Sequence, residues 1–349
     1  MRWRIGLILI LTAMSVLLTN WPVAWQPFLD LVYGEHLYPF IQRLFRSIPY
    51  PKRLLVADVF GILILFLLAL RLTWLVRKNL IRRWLTATLE VVLWISFGYF
   101  LFMMLWGLNY HRETLYSQLK DQGFTTNLSD GHWQFALTET EKVLSKLPAD
   151  FDYCALTTEP FSFERPAAFA LSALALANLP STATRPVKPS HWSWLYTRLG
   201  VAGVYNPFTG EPTFNDRIFQ WSKPFVMTHE FGHWVGYAHE YDADILAYWS
   251  LWLSPDPIWQ YSAWLEWWME VSAPRTYYDQ MSPSLKQGIE CYVTYINQQP
   301  RWQIRNAFWH IYEVNLNNQG IHEGLRTYKM GEVMALSSYQ DWLFKKRNR

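Results

Sequence analysis

His229, Glu230 and His233 form an HExxH pattern within "MTHEFGHWVGYAHEYDADILAY", residues Met227 to Tyr248. On a helix, positions four apart share a face, so both imidazoles can address one metal ion while Glu230 projects beside them. Zinc suits this set, because it accepts neutral imidazole, tolerates a carboxylate third ligand and leaves a fourth position for water. The pattern therefore predicts one Zn2+ per chain. Glu230 is the expected general base, taking a proton from water and later delivering it to a leaving amine. With 9 His among 349 residues, chance supplies an HExxH in roughly one per cent of such chains.

Three residues compete for the third ligand position. "HEFGHWVGYAH" fits HExxHxxGxxH, in which Gly236 breaks the helix and His239 returns to the metal. "HEYDADILAYWSLW" instead reads as helical from its start, which puts Glu240 and Asp244 on one face. One of the two can then bind the ion while the other hydrogen-bonds a ligand imidazole and holds its tautomer. "EYDADILA" also matches the E-[FY]-x-A-D-x-x-A segment of gluzincin peptidases, which favours Glu240 and leaves His239 and Asp242 as the alternatives.

The elements that must carry this site differ sharply along the chain. Three apolar runs, at about 5–22, 54–76 and 84–106, precede residue 107, and the last two have the length a bilayer requires. Residues 1–106 read as a membrane anchor with three transmembrane helices, its partner the lipid bilayer. They hold 11 Lys+Arg against 4 Asp+Glu, whereas the remainder holds 20 against 24. The basic excess flanks apolar segments, so it signals orientation and not nucleic-acid binding. "RKNLIRR", residues 77–83, points to the cytoplasm, and three crossings then put residues 107–349 outside. Arg71 and Glu90 lie at equal distances from the centre of that loop, so they are expected to pair within the anchor. Cys154 and Cys291 are too few for a disulfide framework, and their separation does not decide whether they bridge.

Residues 107–349 read as one mostly helical, zincin-like domain, so the fold class is mainly α with a small extended segment beside the metal helix. "SKPF" opens the metal helix, with Ser222 as N-cap and Pro224 in the first turn. "GVYNPFTGEPTFN" reads as short extended pieces with a turn at Thr209-Gly210. The Trp-rich stretch "AYWSLWLSPDPIWQYSAWLEWWMEV" is broken by Pro and acidic residues, and reads as a buried helix pair.

The chain resembles a functionally uncharacterised family of bacterial membrane proteins with three transmembrane helices and an HExxH domain. The resemblance covers nearly the whole chain and rests on "WGLNYHR", "GVYNPFTGEPTFN", the metal helix and "NNQGIHEGLRTY". The family pattern has Glu at 242, Asn at 244 and no histidine at 239, so Asp242 and Asp244 are departures from it. The wider gluzincin class implies a strand that pairs with substrate backbone, and Thr209, Gly210, Glu211, Pro212, Thr213, Phe214 and Asn215 are its expected counterpart. Tyr328, with Arg326 and His322, is a candidate donor to the tetrahedral oxyanion.

Two functional readings follow. One is a zinc metallopeptidase in the bacterial plasma membrane, with its C-terminal domain extracytoplasmic and a peptide or protein as substrate. A non-peptide amide such as a cell-wall crosslink would use the same chemistry. The other is a non-catalytic membrane protein whose metal holds the fold or presents a binding surface. Substrate specificity and oligomeric state are not encoded in any of these patterns.

Overall fold

The computed structural model describes residues 2–20, 23–47, 56–76, 81–121, 123, 127–155, 185–271, 273–299, 305–318 and 328–347. They are mainly helical, with one small sheet, and fall into two compact units. The first comprises Met1–Arg112, Asn206–Glu211 and Asn318–Gly320; the second comprises Glu113–Tyr205, Pro212–Asn317 and Ile321–Arg349.

The first unit contains helices α1 (Arg2–Thr19), α2 (Tyr38–Ser47), α3 (Val56–Val76) and α4 (Ile81–Leu105). Within α4, Ala87–Leu105 is long and apolar enough to cross a membrane; Trp3–Thr19 of α1 is apolar but shorter. Leu9, Leu17, Ile62, Phe66, Trp94 and Ile95 are all more than half exposed. Exposed apolar patches of this kind are found at protein–protein and membrane interaction surfaces. α1 and α4 run in the same direction: Arg4 meets Glu90, Thr12 meets Ser96 at 3.4 Å, and Thr19 meets Tyr99 at 2.8 Å. Between α1 and α3 the chain is helical from Val23 to Ser47. Its amphipathic face buries Tyr33, Tyr38, Ile41 and Phe45.

Glu211 belongs to this unit and is fully buried. Its carboxylate accepts the Val56 N–H at 3.0 Å and the Ala57 N–H at 2.5 Å, and the Thr209 hydroxyl at 3.2 Å. These are the first amides of α3, which have no partner inside the helix and favour a negative charge.

The second unit contains α5 (Leu115–Asp121), α6 (Asp130–Leu144), α7 (Ser193–Leu199), α8 (Lys223–Val235), α9 (Glu240–Trp252) and α10 (Pro257–Glu270). It continues with α11 (Arg275–Gln280), α12 (Pro283–Gln298), α13 (Arg305–Asn318) and α14 (Tyr328–Arg347). The helix expected near "ERPAAFALSALALANL" lies outside the described residues. Asp256 caps α10 by accepting the Ile258 N–H at 3.0 Å, and Ser282 caps α12 by accepting the Leu285 N–H at 3.3 Å. The Trp-rich stretch is the buried helix pair α9–α10. Trp252 stacks on Trp264 at 4.5 Å between centroids, and Trp259, Trp264 and Trp267 are almost wholly buried. A disulfide joins Cys154 to Cys291.

The sheet consists of β1 (Lys188–Pro189), β2 (Gly203–Asn206) and β3 (Glu211–Phe214), in the order β1–β3–β2. β1 pairs parallel with β3, with Lys188 opposite Thr213 and Pro189 opposite Phe214. β2 and β3 form a hairpin whose turn uses Gly210 at φ 62°. β3 is therefore the central strand.

Candidate metal centre

α8 begins after Ser222, but the Ser222 side chain does not cap it. The Phe225 amide instead donates to Ser262 Oγ of α10 at 3.2 Å. α8 ends at Gly236, whose φ of 114° is one that side chains rarely adopt. That conformation lets the Tyr237 amide close back on the Gly232 carbonyl at 3.2 Å. α9 starts at Glu240, with His239 at its extended N-cap position. The two helices approach closely where Gly232 faces Ala243.

This turn brings His229, His233 and Glu240 together, their potential ligand atoms all lying within 4.8 Å of one another. His229 Nε2 is 3.0 Å from Glu240 Oε2, and His233 Nε2 is 3.5 Å from the same oxygen. Behind them, His229 Nδ1 lies 2.7 Å from Asp244 Oδ1 and His233 Nδ1 lies 2.7 Å from the Tyr237 carbonyl. A carbonyl can only accept, so His233 carries a proton on Nδ1. Its Nε2 then faces a carboxylate oxygen either with a second proton or with a lone pair directed at a cation.

The electrostatics express the same demand for positive charge. Burial disfavours an imidazolium at His229, yet Asp244 and Glu240 hold its pKa well above the usual value. His233 is raised as well, burial being outweighed by Glu240. Burial also opposes ionisation of Glu240, but hydrogen bonds from His229 and His233 keep its carboxyl well below the ordinary range. Two imidazoles and a carboxylate with outer hydrogen bonds in place fit a divalent cation.

Glu230 is buried beside this group but is not one of its three members. Burial pushes its pKa up to about 7, against the pull of His233 and His229. Its Oε2 has no hydrogen-bond partner among the described residues.

The two alternatives for the third ligand, Asp242 and His239, lie outside this group. Asp242 Oδ1 accepts the Tyr116 amide at 2.9 Å, in the first turn of α5, and so serves that helix and not the metal group. The His239 ring stacks on Tyr241 at 5.0 Å and stays outside the three. The reason is local: α9 has already started at Glu240, so neighbours on it point in different directions.

The expected substrate strand, Thr209 to Asn215, falls on the hairpin turn, β3 and the residue after it. Among the described residues β3 lies between β1 and β2, with Thr213 and Phe214 paired to β1. Glu211 and Thr209 are engaged as described above. Asn215 donates to Thr197 Oγ1 and to the Val201 carbonyl, both at 3.1 Å. Among the described residues, the strand next to the metal group that ends the sheet is β2. His322 and Arg326 lie outside the described residues, and Tyr328 is described only as the first residue of α14.

Three further residues shape the site. Gly203 of β2 lies against the Glu230 side chain. The Tyr237 carbonyl orients His233. Gly331 of α14 packs against Asp244 and Tyr241, where a Cβ would lie 2.9 Å from Asp244 Cβ. A glycine within a strand or helix is the one sequence signal of such approaches, and it does not name the neighbour.

In the first unit, Glu90 of α4 bridges two other helices at once. Arg71 donates to it through Nε at 2.9 Å and Nη2 at 2.5 Å, and Arg4 through Nη1 at 2.6 Å.

A mainly helical chain with a buried two-histidine, one-carboxylate group defines a candidate metalloprotein. Residues 33–336 match the family described as "Protein of unknown function (DUF3810)", and the chain belongs to that family. No curated protein and no solved structure matches the chain.

Proposed function

We propose that the chain is a membrane-anchored zinc metallopeptidase of gluzincin-like architecture. The observation that carries this reading is the separation of roles in the site: three groups converge as a ligand set, while Glu230 stands beside them, buried and outside the set. A purely structural metal site has no use for such a base and usually closes its fourth position.

His229, His233 and Glu240 would hold the zinc, and Asp244 and the Tyr237 carbonyl would fix the imidazoles. When bound, zinc acidifies water and polarises a carbonyl. Glu230 takes the proton released by the attacking water and returns it to the amide nitrogen that leaves. The substrate backbone lies extended along the outer edge of β2 and pairs with it as an added strand.

The anchor reading has its own support. Parallel α1 and α4 with α3 between them suit three crossings that leave the two ends of the anchor on opposite sides. Basic residues 77–83 favour the cytoplasm for the loop between α3 and α4. The Cys154–Cys291 bridge favours an oxidising compartment for the second unit. The test is metal analysis of the purified full-length protein with a peptide-library cleavage assay, comparing wild type with Glu230→Gln. Stoichiometric zinc in both and cleavage by wild type alone is expected. Zinc without cleavage in either would instead favour a structural or binding role.

A further inference from the structure

We infer that Gly203 is the positioning residue for Glu230. The inference rests on the peptidase reading for its catalytic consequence, but the contact itself does not. A Cβ built on Gly203 would lie 2.6 Å from Glu230 Cγ and 2.7 Å from Cδ, and would overlap Oε1 as well. Real Cβ atoms essentially never come within 3.0 Å of another heavy atom. All three nearest atoms belong to this one side chain, so no other neighbour limits position 203 as closely.

The backbone does not itself demand glycine here. Gly123, Gly200, Gly210 and Gly236 have positive φ, whereas Gly203 does not. Position 203 is thus a glycine for space alone, and the space is filled by the proposed acid–base. Because Cγ and Cδ both lie in the overlap, moving the carboxylate tip cannot relieve it. Any side chain at 203 forces Glu230 out of its rotamer, and on a helix few rotamers remain. None of the three atoms nearest position 203 belongs to His229, His233 or Glu240, so these three should stay together.

Gly203→Ala should therefore keep stoichiometric zinc and a similar KM, while kcat falls about a hundred-fold, the usual result of misplacing a catalytic group by an ångström. The contact is read separately by a thermal cycle on the full-length protein in detergent. In the wild-type background Gly203→Ala should lower Tm by about 5 °C, the scale of an overpacked core. In a Glu230→Ala background, which removes every overlapping atom, the same substitution should be neutral or slightly stabilising. If Gly203→Ala does not accumulate in the wild-type background, its recovery in the Glu230→Ala background supports the same contact. Equal Tm losses in both backgrounds, lost zinc, or unchanged kcat would overturn the inference. A wild type that binds zinc and cleaves nothing overturns the peptidase reading instead, and the thermal cycle then decides the Gly203 contact.

Discussion

Arg71 and Glu90 meet across the α3–α4 hairpin, and Arg4 of α1 shares the same carboxylate. One acid thus ties three helices of the first unit together. Removing it leaves two guanidinium groups facing each other without their shared acid. Glu90→Gln should destabilise the anchor by a few kcal/mol, on the order found for broken buried pairs, and by more than Arg71→Gln. The swap Arg71→Glu with Glu90→Arg should recover little, because the new arginine would face Arg4. Tm in detergent measures all three; full recovery by the swap would show that Arg4 is not part of the cluster.

For the metal group, Glu240→Ala should abolish stoichiometric zinc, whereas His239→Ala and Asp242→Ala should keep most of it. Asp242→Ala has a different cost, since it frees the Tyr116 amide and should lower stability by about 1 kcal/mol. Asp244→Ala should weaken zinc affinity about ten- to a hundred-fold, as losses of outer hydrogen bonds do. Competition with a chromogenic chelator reads these affinities. An empty His239→Ala protein beside a loaded Glu240→Ala protein would reverse the ligand assignment.

Glu266 of α10 supplies a pH dependence away from the metal ligands. Burial raises its pKa from 4.5 to about 8, with the Glu270 and Asp244 charges adding to the rise and hydrogen bonds from Ser222 and Tyr292 opposing it. Folded protein therefore holds this proton where unfolded chain has lost it. The stabilisation is complete below pH 4.5 and is lost progressively as pH rises to about 8. The loss is on the order of a few kcal/mol, and Tm should fall by roughly 10 °C across that range. Glu266→Gln removes the titration and should flatten the slope. An unchanged slope would place its origin elsewhere.

Topology is open to labelling from outside intact cells. One new cysteine at Asn79 and another beside Arg349 serve, because the two native cysteines are joined to each other. Reaction near 349 with protection at 79 is expected. The opposite pattern would invert the proposed orientation.

The metal turn was legible in the sequence because glycine and period agree there: Gly236 stops one helix, and "EYDADILA" has the spacing of the next. Arg71 and Glu90 were legible because hairpin symmetry converts sequence distance into depth. Arg4 was not, since nothing local tells which helix packs beside α4. The position of the expected substrate strand within the sheet was hidden for a related reason. Alternating residues identify "EPTF" as a strand, but only the long-range partner Lys188–Pro189 decides that it lies in the middle of the sheet. Gly203 was visible as a glycine, and the side chain that fills its space was not.

The buried Glu211 carboxylate has a practical consequence for taking the protein apart. A fragment beginning at Glu113 would look like the natural soluble piece of this chain. It would still carry residues 206–211, now separated from the amides of Val56 and Ala57 that neutralise their acid. The stranded carboxylate would have to reach water, and the hairpin would loosen at the end of the strand that holds Gly203. Poor behaviour of such a fragment would then reflect where it was cut, and shorter versions for crystallisation or assay do better to keep α3 or to replace Glu211.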